Sequence, residues 1–235
     1  MSDSQIIIGL QVVRARIQDA CQRAGRNPAS LRLIGVSKRK PFEAVIRAMD
    51  NGLIDFGENY VQEFKDKQEH LAQIDYRPVW HFIGQLQTRK VKYLNNRVHW
   101  IHSIDRERLV LEIERRFDSP VNCLIEVNLG AEEGKGGVLP DQLNELALLT
   151  VRQQKIRFRG LMCVPPAVQG PEEVRPYFRE LSNLLIDMKS FLTEKGVDTT
   201  GITELSMGMS NDFEQAIKEG ATMIRVGRAI FGERQ

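Results

Sequence analysis

The chain has 235 residues, of which 42% are hydrophobic, enough for one large domain with a substantial core or for two small ones. Lys and Arg total 33 against 31 Asp and Glu, so the formal net charge is only +2. This near balance excludes the strongly basic surface with which proteins bind nucleic acid or an anionic membrane.

Cys21, Cys123 and Cys163 are odd in number, lie far apart and lack the spacing of metal ligands. We therefore expect core thiols in a reducing compartment and no metal site. Residues 5–10 form an apolar patch that no basic segment precedes, so neither a signal peptide nor a membrane span is expected. Together these features predict a soluble, cytoplasmic protein.

Strand-like and helix-like segments alternate after a leading helix at about residues 5–24. The predicted strands are residues 31–38, 55–59, 79–84, 100–104, 121–129, 158–164, 203–207 and 223–227. The predicted helices between them are residues 41–51, 60–73, 88–95, 106–117, 140–154, 172–195 and 211–219. This alternation predicts an α/β protein with one domain over residues 1–235, a single (β/α)8 TIM-type barrel with an extra N-terminal helix. An open doubly wound sheet is less favoured, because no Gly-x-Gly-x-x-Gly follows the first strand.

Lys38 ends the first predicted strand and shares one face of it with Ile34 and Val36, because side chains alternate with period two. Functional residues of such barrels lie at the carboxyl ends of the strands. An amine there, with Arg39 and Lys40 as cationic neighbours, is suited to forming a Schiff base, since burial and nearby positive charge lower its pKa. The alternative is a lysine whose stem packs on the strand while its charge reaches water.

The loops after strands seven and eight have the composition of an anion site. Ser206, Gly208 and Ser210 precede a predicted helix that Ser210 or Asn211 can cap, with Asn211 and Glu214 at capping-box spacing. In the next unit, Gly227 follows Arg225 and precedes a short predicted helix. Phosphate is often held by these two loops in such barrels, and strand eight adjoins strand one. Pyridoxal phosphate (PLP) needs both features, an amine for its aldehyde and a site for its phosphate.

Several segments together resemble the pyridoxal phosphate homeostasis proteins over about residues 31–232. They are residues 36–38 with 40–41, 56–63, 80–87, 102–105, 126–128, 160–162, 206–210 and 224–227. The resemblance implies a barrel similar to the N-terminal domain of alanine racemase, with PLP held as an internal aldimine. One departure is Arg39, where the family more often has a small polar residue.

The resemblance also assigns roles to individual residues. Lys38 is the Schiff-base lysine, and Asn59 and His81 are further pocket residues. Phosphate is bound by Ser206, Gly208, Ser210 and Gly227. Arg225 approaches either the pyridine nitrogen or the phosphate.

Other polar residues have two interpretations each. His81, inside an apolar strand, is either a satisfied barrel histidine or a proton shuttle. Glu126 and Asn128 share a strand face and serve either the structure or a ligand. The charged run at residues 65–69 is interpreted as a solvated helix face.

Two function classes remain, with a phosphate-binding barrel without PLP as a third that leaves Lys38 unexplained. One is a PLP-dependent amino-acid racemase. The other, which we favour, binds PLP without turnover and serves vitamin B6 homeostasis and the balance of amino and keto acids. A racemase needs a second acid–base group, which the related racemases take from a tyrosine of a further domain, and we expect none here. The expected partners are PLP, amino acids as external aldimines and PLP-requiring apo-enzymes, for a monomer that binds neither nucleic acid nor membrane.

Overall fold

The computed structural model describes residues 3–132 and 134–233. The predicted domain span of 1–235 therefore includes five positions outside the described residues. The α-helices are α1 (Asp3–Arg23), α2 (Phe42–Asp50), α3 (Val61–Gln73), α4 (Glu107–Arg116), α5 (Leu143–Val151), α6 (Arg175–Glu194), α7 (Phe213–Lys218) and α8 (Arg228–Phe231). The strands are β1 (Arg32–Val36), β2 (Asp55–Glu58), β3 (Val79–Phe82), β4 (Trp100–Ile104), β5 (Val121–Glu126), β6 (Ile156–Met162), β7 (Glu204–Ser206) and β8 (Met223–Val226).

The strands form a closed parallel barrel. Each strand pairs with the next in sequence, and β8 pairs with β1 through Arg32–Met223 and Ile34–Arg225. The predicted (β/α)8 barrel with an extra N-terminal helix is confirmed.

Two predicted helices differ from the structure. The predicted helix at 88–95 is a 3₁₀ helix, Thr88–Tyr93, and the helix predicted to begin at 140 starts with the 3₁₀ turn Pro140–Gln142. Hydrophobic periodicity reports only which face is buried, and a short 3₁₀ turn buries nearly the same positions as one turn of α-helix.

Alternation along the strands separates two apolar clusters. Outward-facing residues such as Phe56, Trp80 and Phe82 pack under the helices in the larger cluster. The barrel interior holds a smaller apolar cluster, Ile34, Trp100, Leu124, Met162 and Met223. Beside this inner cluster lie buried polar side chains, which is where the candidate site begins.

Helix α1 packs against α7 and α8, the two helices that follow β7 and β8. A Cβ at Gly9 would lie 2.6 Å from the carbonyl oxygen of Ala229, so glycine permits this close approach. Arg16 forms two hydrogen bonds, at 2.9 and 3.0 Å, with the Glu214 carboxylate of α7. The extra helix therefore holds in place both loops at which we expect phosphate.

Among the described residues, no helix is both long and apolar enough to cross a membrane.

Candidate functional site

Lys38 lies in the loop directly after β1 and is half-buried. Ile34 points into the barrel, and alternation along β1 places Val36 on the same inner side. Strand β8 pairs with β1, so the loop that carries Lys38 adjoins the loop after β8. The turn that carries Lys38 thus lies at the carboxyl end of the barrel, on the side of β8.

The loops after β7 and β8 are joined to each other. The Ala229 amide donates to Ser210 Oγ at 3.4 Å. Within the described part of the chain, the amides of Ser210, Asn211 and Arg228 donate to no protein acceptor. Three amides and one hydroxyl in adjoining loops form a donor set that suits a phosphate group.

The two predicted phosphate-site glycines allow close packing. Gly208 has φ +90°, and a Cβ there would lie 2.6 Å from Ala216 Cβ. A Cβ at Gly227 would lie 3.3 Å from the Val36 carbonyl oxygen, so this glycine keeps the loop after β8 against β1. Both therefore shape the loops that would hold phosphate.

The predicted Asn211–Glu214 capping box is wrong. Helix α7 begins only at Phe213, and its preceding residue Asp212 makes no side-chain cap to it. Asp212 Oδ1 instead accepts from the Met209 amide, and Glu214 binds Arg16 of α1. The Glu214 carboxylate, which the sequence spacing predicted to be part of the cap, binds Arg16 of α1 instead.

Arg225 of β8 is a nearly buried cation, with 5% of its surface exposed. One terminal nitrogen donates to Ser206 Oγ at 2.7 Å, and the other donates to the Cys163 carbonyl at 2.8 Å. The planar guanidinium is therefore fixed between β7 and the end of β6. Its charge faces the carboxyl end of the barrel, where Glu126 and Asp212 interact with it electrostatically.

A chain of hydrogen bonds continues from Arg225 through the barrel interior. Ser206 Oγ lies 2.9 Å from His102 Nδ1, and His102 Nε2 lies 2.9 Å from His81 Nδ1. His81 Nε2 lies 2.9 Å from Asp55 Oδ1, which also accepts from Arg32 at 2.8 Å. Five buried side chains from β2, β3, β4, β7 and β8 thus form one polar chain, here called the interior chain: Asp55, His81, His102, Ser206 and Arg225.

The two residues at the ends of the interior chain determine which atom donates in each of its hydrogen bonds. Burial raises the pKa of Asp55, but hydrogen bonds from His81 and Arg32 offset this and leave the pKa below its usual value. Asp55 is therefore an ionised acceptor at one end, while Arg225 can only donate at the other. It follows that His81 donates from Nε2 to Asp55, His102 donates from Nε2 to His81, and Ser206 donates to His102.

Both interior histidines are neutral in this arrangement. Burial is the main cause that lowers the pKa of His81, against the opposing effect of Asp55. Burial, with the nearby His81 and Arg225, places the pKa of His102 well below 6.5. The interpretation of His81 as a satisfied barrel histidine therefore fits the structure, since both of its ring nitrogens are bonded.

Ser206 has a different position from Gly208 and Ser210. It is the last residue of β7, and its hydroxyl is buried between His102 and Arg225. We therefore do not retain it as a phosphate ligand. Alternation along the strand turns this side chain into the barrel, whereas Ser210 lies in the loop.

Glu126 ends β5 on the inner side of the barrel and is nearly buried. Burial raises its pKa to about 7, an effect that the Arg225 charge only partly opposes. A Cβ at Gly136 would lie 3.0 Å from Glu126 Oε2, so the loop after β5 covers this carboxyl group. Glu126 is therefore a group that can exchange a proton near neutral pH.

Asn59 follows β2, and its Oδ1 atom is buried without a hydrogen-bond partner among the described residues. The Asn59 backbone lies against Gly84, where a Cβ would come within 2.4 Å of the Asn59 carbonyl oxygen. An unsatisfied buried acceptor at this end of the barrel is available to a ligand donor.

The prediction of a solvated face at residues 65–69 is wrong for Lys67. Only 5% of its surface is exposed, and its ammonium group bonds to Glu58 and Glu63. Composition alone does not reveal that a lysine in a charged run is buried. The i, i+4 spacing of Glu63 and Lys67 did indicate an ion pair. In the described residues, no cluster of three or more His, Cys, Asp or Glu side chains could hold a metal ion.

Comparisons with known proteins show the family and the fold. Residues 8–235 match the family model described as "Alanine racemase, N-terminal domain". A pyridoxal phosphate homeostasis protein of Aquifex aeolicus is 48% identical over 229 residues, covering 96% of this chain and 97% of that protein. PipY of Synechococcus elongatus, solved with PLP bound, is 31% identical with a TM-score of 0.80 over 97% of this chain and all of PipY. Alanine racemase of Corynebacterium glutamicum shares only the fold, with a TM-score of 0.68 at 14% identity, and the match covers 95% of this chain and 62% of the racemase.

The interior chain predicts the tautomers of two histidines. In ¹⁵N NMR spectra of the ligand-free protein, His81 and His102 should both be neutral with the proton on Nε2 at pH 7, because Asp55 and Arg225 impose one direction on the chain. His70, exposed on α3, provides a reference ring. A proton on Nδ1 of either interior ring, or a charged ring at pH 7, would contradict the assignment.

Because the pKa of Glu126 is raised, we expect the stability difference between the wild type and Glu126→Gln to depend on pH. A raised carboxyl pKa contributes stability that is present below pH 4.5 and is lost as pH rises toward the folded value of about 7. The unfolding free energy of the ligand-free wild type should therefore fall relative to the variant by roughly 3 kcal/mol across this interval. Urea titrations at several pH values measure it, and a constant difference would show that Glu126 ionises normally.

Proposed function

We propose a function from one premise: the chain belongs to the alanine racemase N-terminal domain family and, within it, to the pyridoxal phosphate homeostasis proteins. The chain binds PLP, which Lys38 holds as a Schiff base. It serves vitamin B6 homeostasis and the balance of amino and keto acids, without turnover of a substrate. Free amino acids and PLP-requiring apo-enzymes are the partners with which the cofactor would be exchanged.

The observation that carries this proposal is the pairing of an amine and an anion site on adjoining strands. Lys38 follows β1, and the amide and hydroxyl donors follow β7 and β8. PLP, when bound, supplies an aldehyde that reacts with an amine and a ring that accepts electron density. The loops shaped by Gly208 and Gly227 would hold the phosphate through their free amides and the Ser210 hydroxyl, and Lys38 would reach the aldehyde.

Arg225 is assigned to the pyridine nitrogen rather than to the phosphate. Its guanidinium is fixed by Ser206 and the Cys163 carbonyl inside the barrel, below the loops that carry the phosphate donors. A permanent cation beside the ring nitrogen disfavours protonation of that nitrogen, which makes the ring a weaker electron acceptor. This supports binding without turnover.

The described tyrosines give little support for a second acid–base group. Tyr76 donates to Asp50 on the outside of the barrel, and Tyr93 contacts three surface lysines. Tyr177 lies on α6. Tyr60 follows the carboxyl end of β2, but it is 47% exposed and contacts the Arg39 guanidinium at 3.4 Å. None of the four belongs to a strand of the barrel.

The second candidate function, a PLP-dependent amino-acid racemase, rests on Glu126. Its carboxyl group is near the Arg225 charge and has a pKa of about 7, so it could donate or accept a proton during such a reaction. We rank it second because Arg225 weakens the electron-accepting ring that racemisation requires.

Borohydride reduction of the PLP-loaded protein should place the pyridoxyl group on Lys38, because this amine lies beside the predicted phosphate site. Peptide mass mapping identifies the modified lysine. Lys40→Ala is the matched control, since Lys40 is close in sequence but its ammonium group bonds to the Glu233 carbonyl at 2.7 Å. The adduct should be lost in Lys38→Ala and kept in Lys40→Ala. Modification of Lys40 or Lys135 instead would move the site.

Amino acids should change the absorption spectrum of the loaded protein stoichiometrically but give no sustained product. The expected reason is that Arg225 keeps the ring nitrogen unprotonated. Chirality, carbon dioxide and keto acids are followed after incubation with L-alanine and other amino acids. Saturable racemisation that is lost in both Lys38→Ala and Glu126→Gln would establish the racemase and refute the carrier.

A further inference from the structure

The turn that carries Lys38 has an unfavourable backbone conformation. Arg39, the next residue, has φ +59°, a left-handed value that non-glycine residues seldom adopt. Such a conformation is unfavourable and persists only where surrounding contacts impose it. The contacts that impose it here come from outside the barrel wall.

Those contacts centre on Lys67 of α3. Its ammonium group donates to the Ser37 carbonyl at 2.7 Å, to Glu58 Oε1 at 2.7 Å and to Glu63 Oε1 at 2.8 Å. An ammonium group has three donors, so its bonding capacity is filled. We call Lys67, Glu58 and Glu63 the Lys67 clamp.

The clamp holds the residues on both sides of Lys38. Ser37 Oγ donates to Glu58 Oε1 at 2.7 Å, in addition to the bond that the Ser37 carbonyl accepts. On the other side, the Arg39 amide donates to Glu63 Oε1. Three bonds thus fix the backbone immediately before and after Lys38.

The bonds of Lys67 to Ser37 and Glu58 are buried and are not exchanged readily for water, whereas the Arg39–Glu63 bond is exposed. Glu58 is fully buried and Lys67 is 5% exposed, while the Glu63 side chain retains 22% exposure. Removing one partner of a buried ion pair leaves an uncompensated charge and is strongly unfavourable. Side chains of helix α3 therefore hold the turn around Lys38 in a fixed position.

We propose that Lys67, Glu58 and Glu63 are positioning residues for the Lys38 amine. This inference rests on the proposed function of Lys38 as the Schiff-base lysine. Bond formation between an amine and an aldehyde depends on their approach, and a displacement of about 1 Å lowers such rates by up to about 100-fold. By fixing residues 37 and 39, the clamp keeps the amine at the carboxyl end of the barrel before the cofactor arrives.

The test separates positioning of the amine from binding of the cofactor. In Lys67→Met, imine formation with PLP, followed by absorbance, should be at least about tenfold slower than in the wild type. Affinity for 4-deoxypyridoxine 5′-phosphate, which has no aldehyde, should change by less than about threefold, because the loops after β7 and β8 are untouched. Lys65→Met on the same helix is the control and should leave both values unchanged.

Amide hydrogen exchange of the ligand-free protein gives a second readout. Exchange of the Arg39 amide should accelerate at least about tenfold in Lys67→Met, while the Cys123 amide in β5 serves as a reference for global unfolding. Glu63→Ala is a milder variant, because that side chain is partly exposed. It should free the Arg39 amide and slow imine formation by a smaller factor.

The outcomes distinguish the two proposals. If the wild type forms no adduct on Lys38, the proposed function fails, while the exchange measurement still reports on the clamp. If Lys38 reacts equally fast in the wild type, Lys67→Met and Glu63→Ala, the clamp inference is overturned. A parallel loss of analogue affinity and imine formation would also overturn it, because the clamp would then support only the fold.

Discussion

The guanidinium of Arg225 is a charge held almost without water, and the polar interior of the barrel is organised around it. Removing a cation from water is unfavourable unless acceptors replace the solvent. Ser206 Oγ and the Cys163 carbonyl are two such acceptors. Because Ser206 Oγ accepts from Arg225, its hydroxyl donates a hydrogen bond to His102. The chain ends only at an ionised group, Asp55, which also binds half-exposed Arg32. The charge of Arg225, together with that of Asp55, thus fixes the direction of every hydrogen bond in the interior chain, which spans five strands.

This arrangement has a consequence for chemistry at the proposed site. A histidine in place of Arg225 could gain or lose a proton near neutral pH. A guanidinium stays charged and keeps its orientation. The interior chain therefore supplies a constant electrostatic environment rather than a proton reservoir. Glu126, with a pKa near 7, is the contrasting group, because its charge changes in the physiological range. A fixed cation beside one weak acid supports the proposal that the site retains a cofactor without turnover.

Sequence patterns predicted the barrel and the position of Lys38 because both depend on local periodicity and on the rule that strand ends carry function. They do not show which side chains pair with distant partners. Ser206 and Ser210 look equivalent in sequence, but only the structure shows that Ser206 turns inward to Arg225. Lys67 stands in a charged run, and its burial depends on β1 and β2. The interior histidines were recognised as strand residues, but their pairing required the register of the closed barrel.

The site thus receives support from two separate buried ionic groups, one on each side of the barrel wall. From inside, Asp55 and the histidines orient Arg225; from outside, Lys67 orients the turn around Lys38. Because most polar atoms of both groups are paired within the protein, little of the cofactor's binding energy is needed to arrange the residues proposed to meet it. Preorganisation of the amine favours imine formation, and it equally favours the reverse reaction when a competing amine or water arrives, since a catalyst lowers one barrier in both directions. A fixed lysine is therefore consistent with a protein that both takes up and releases PLP.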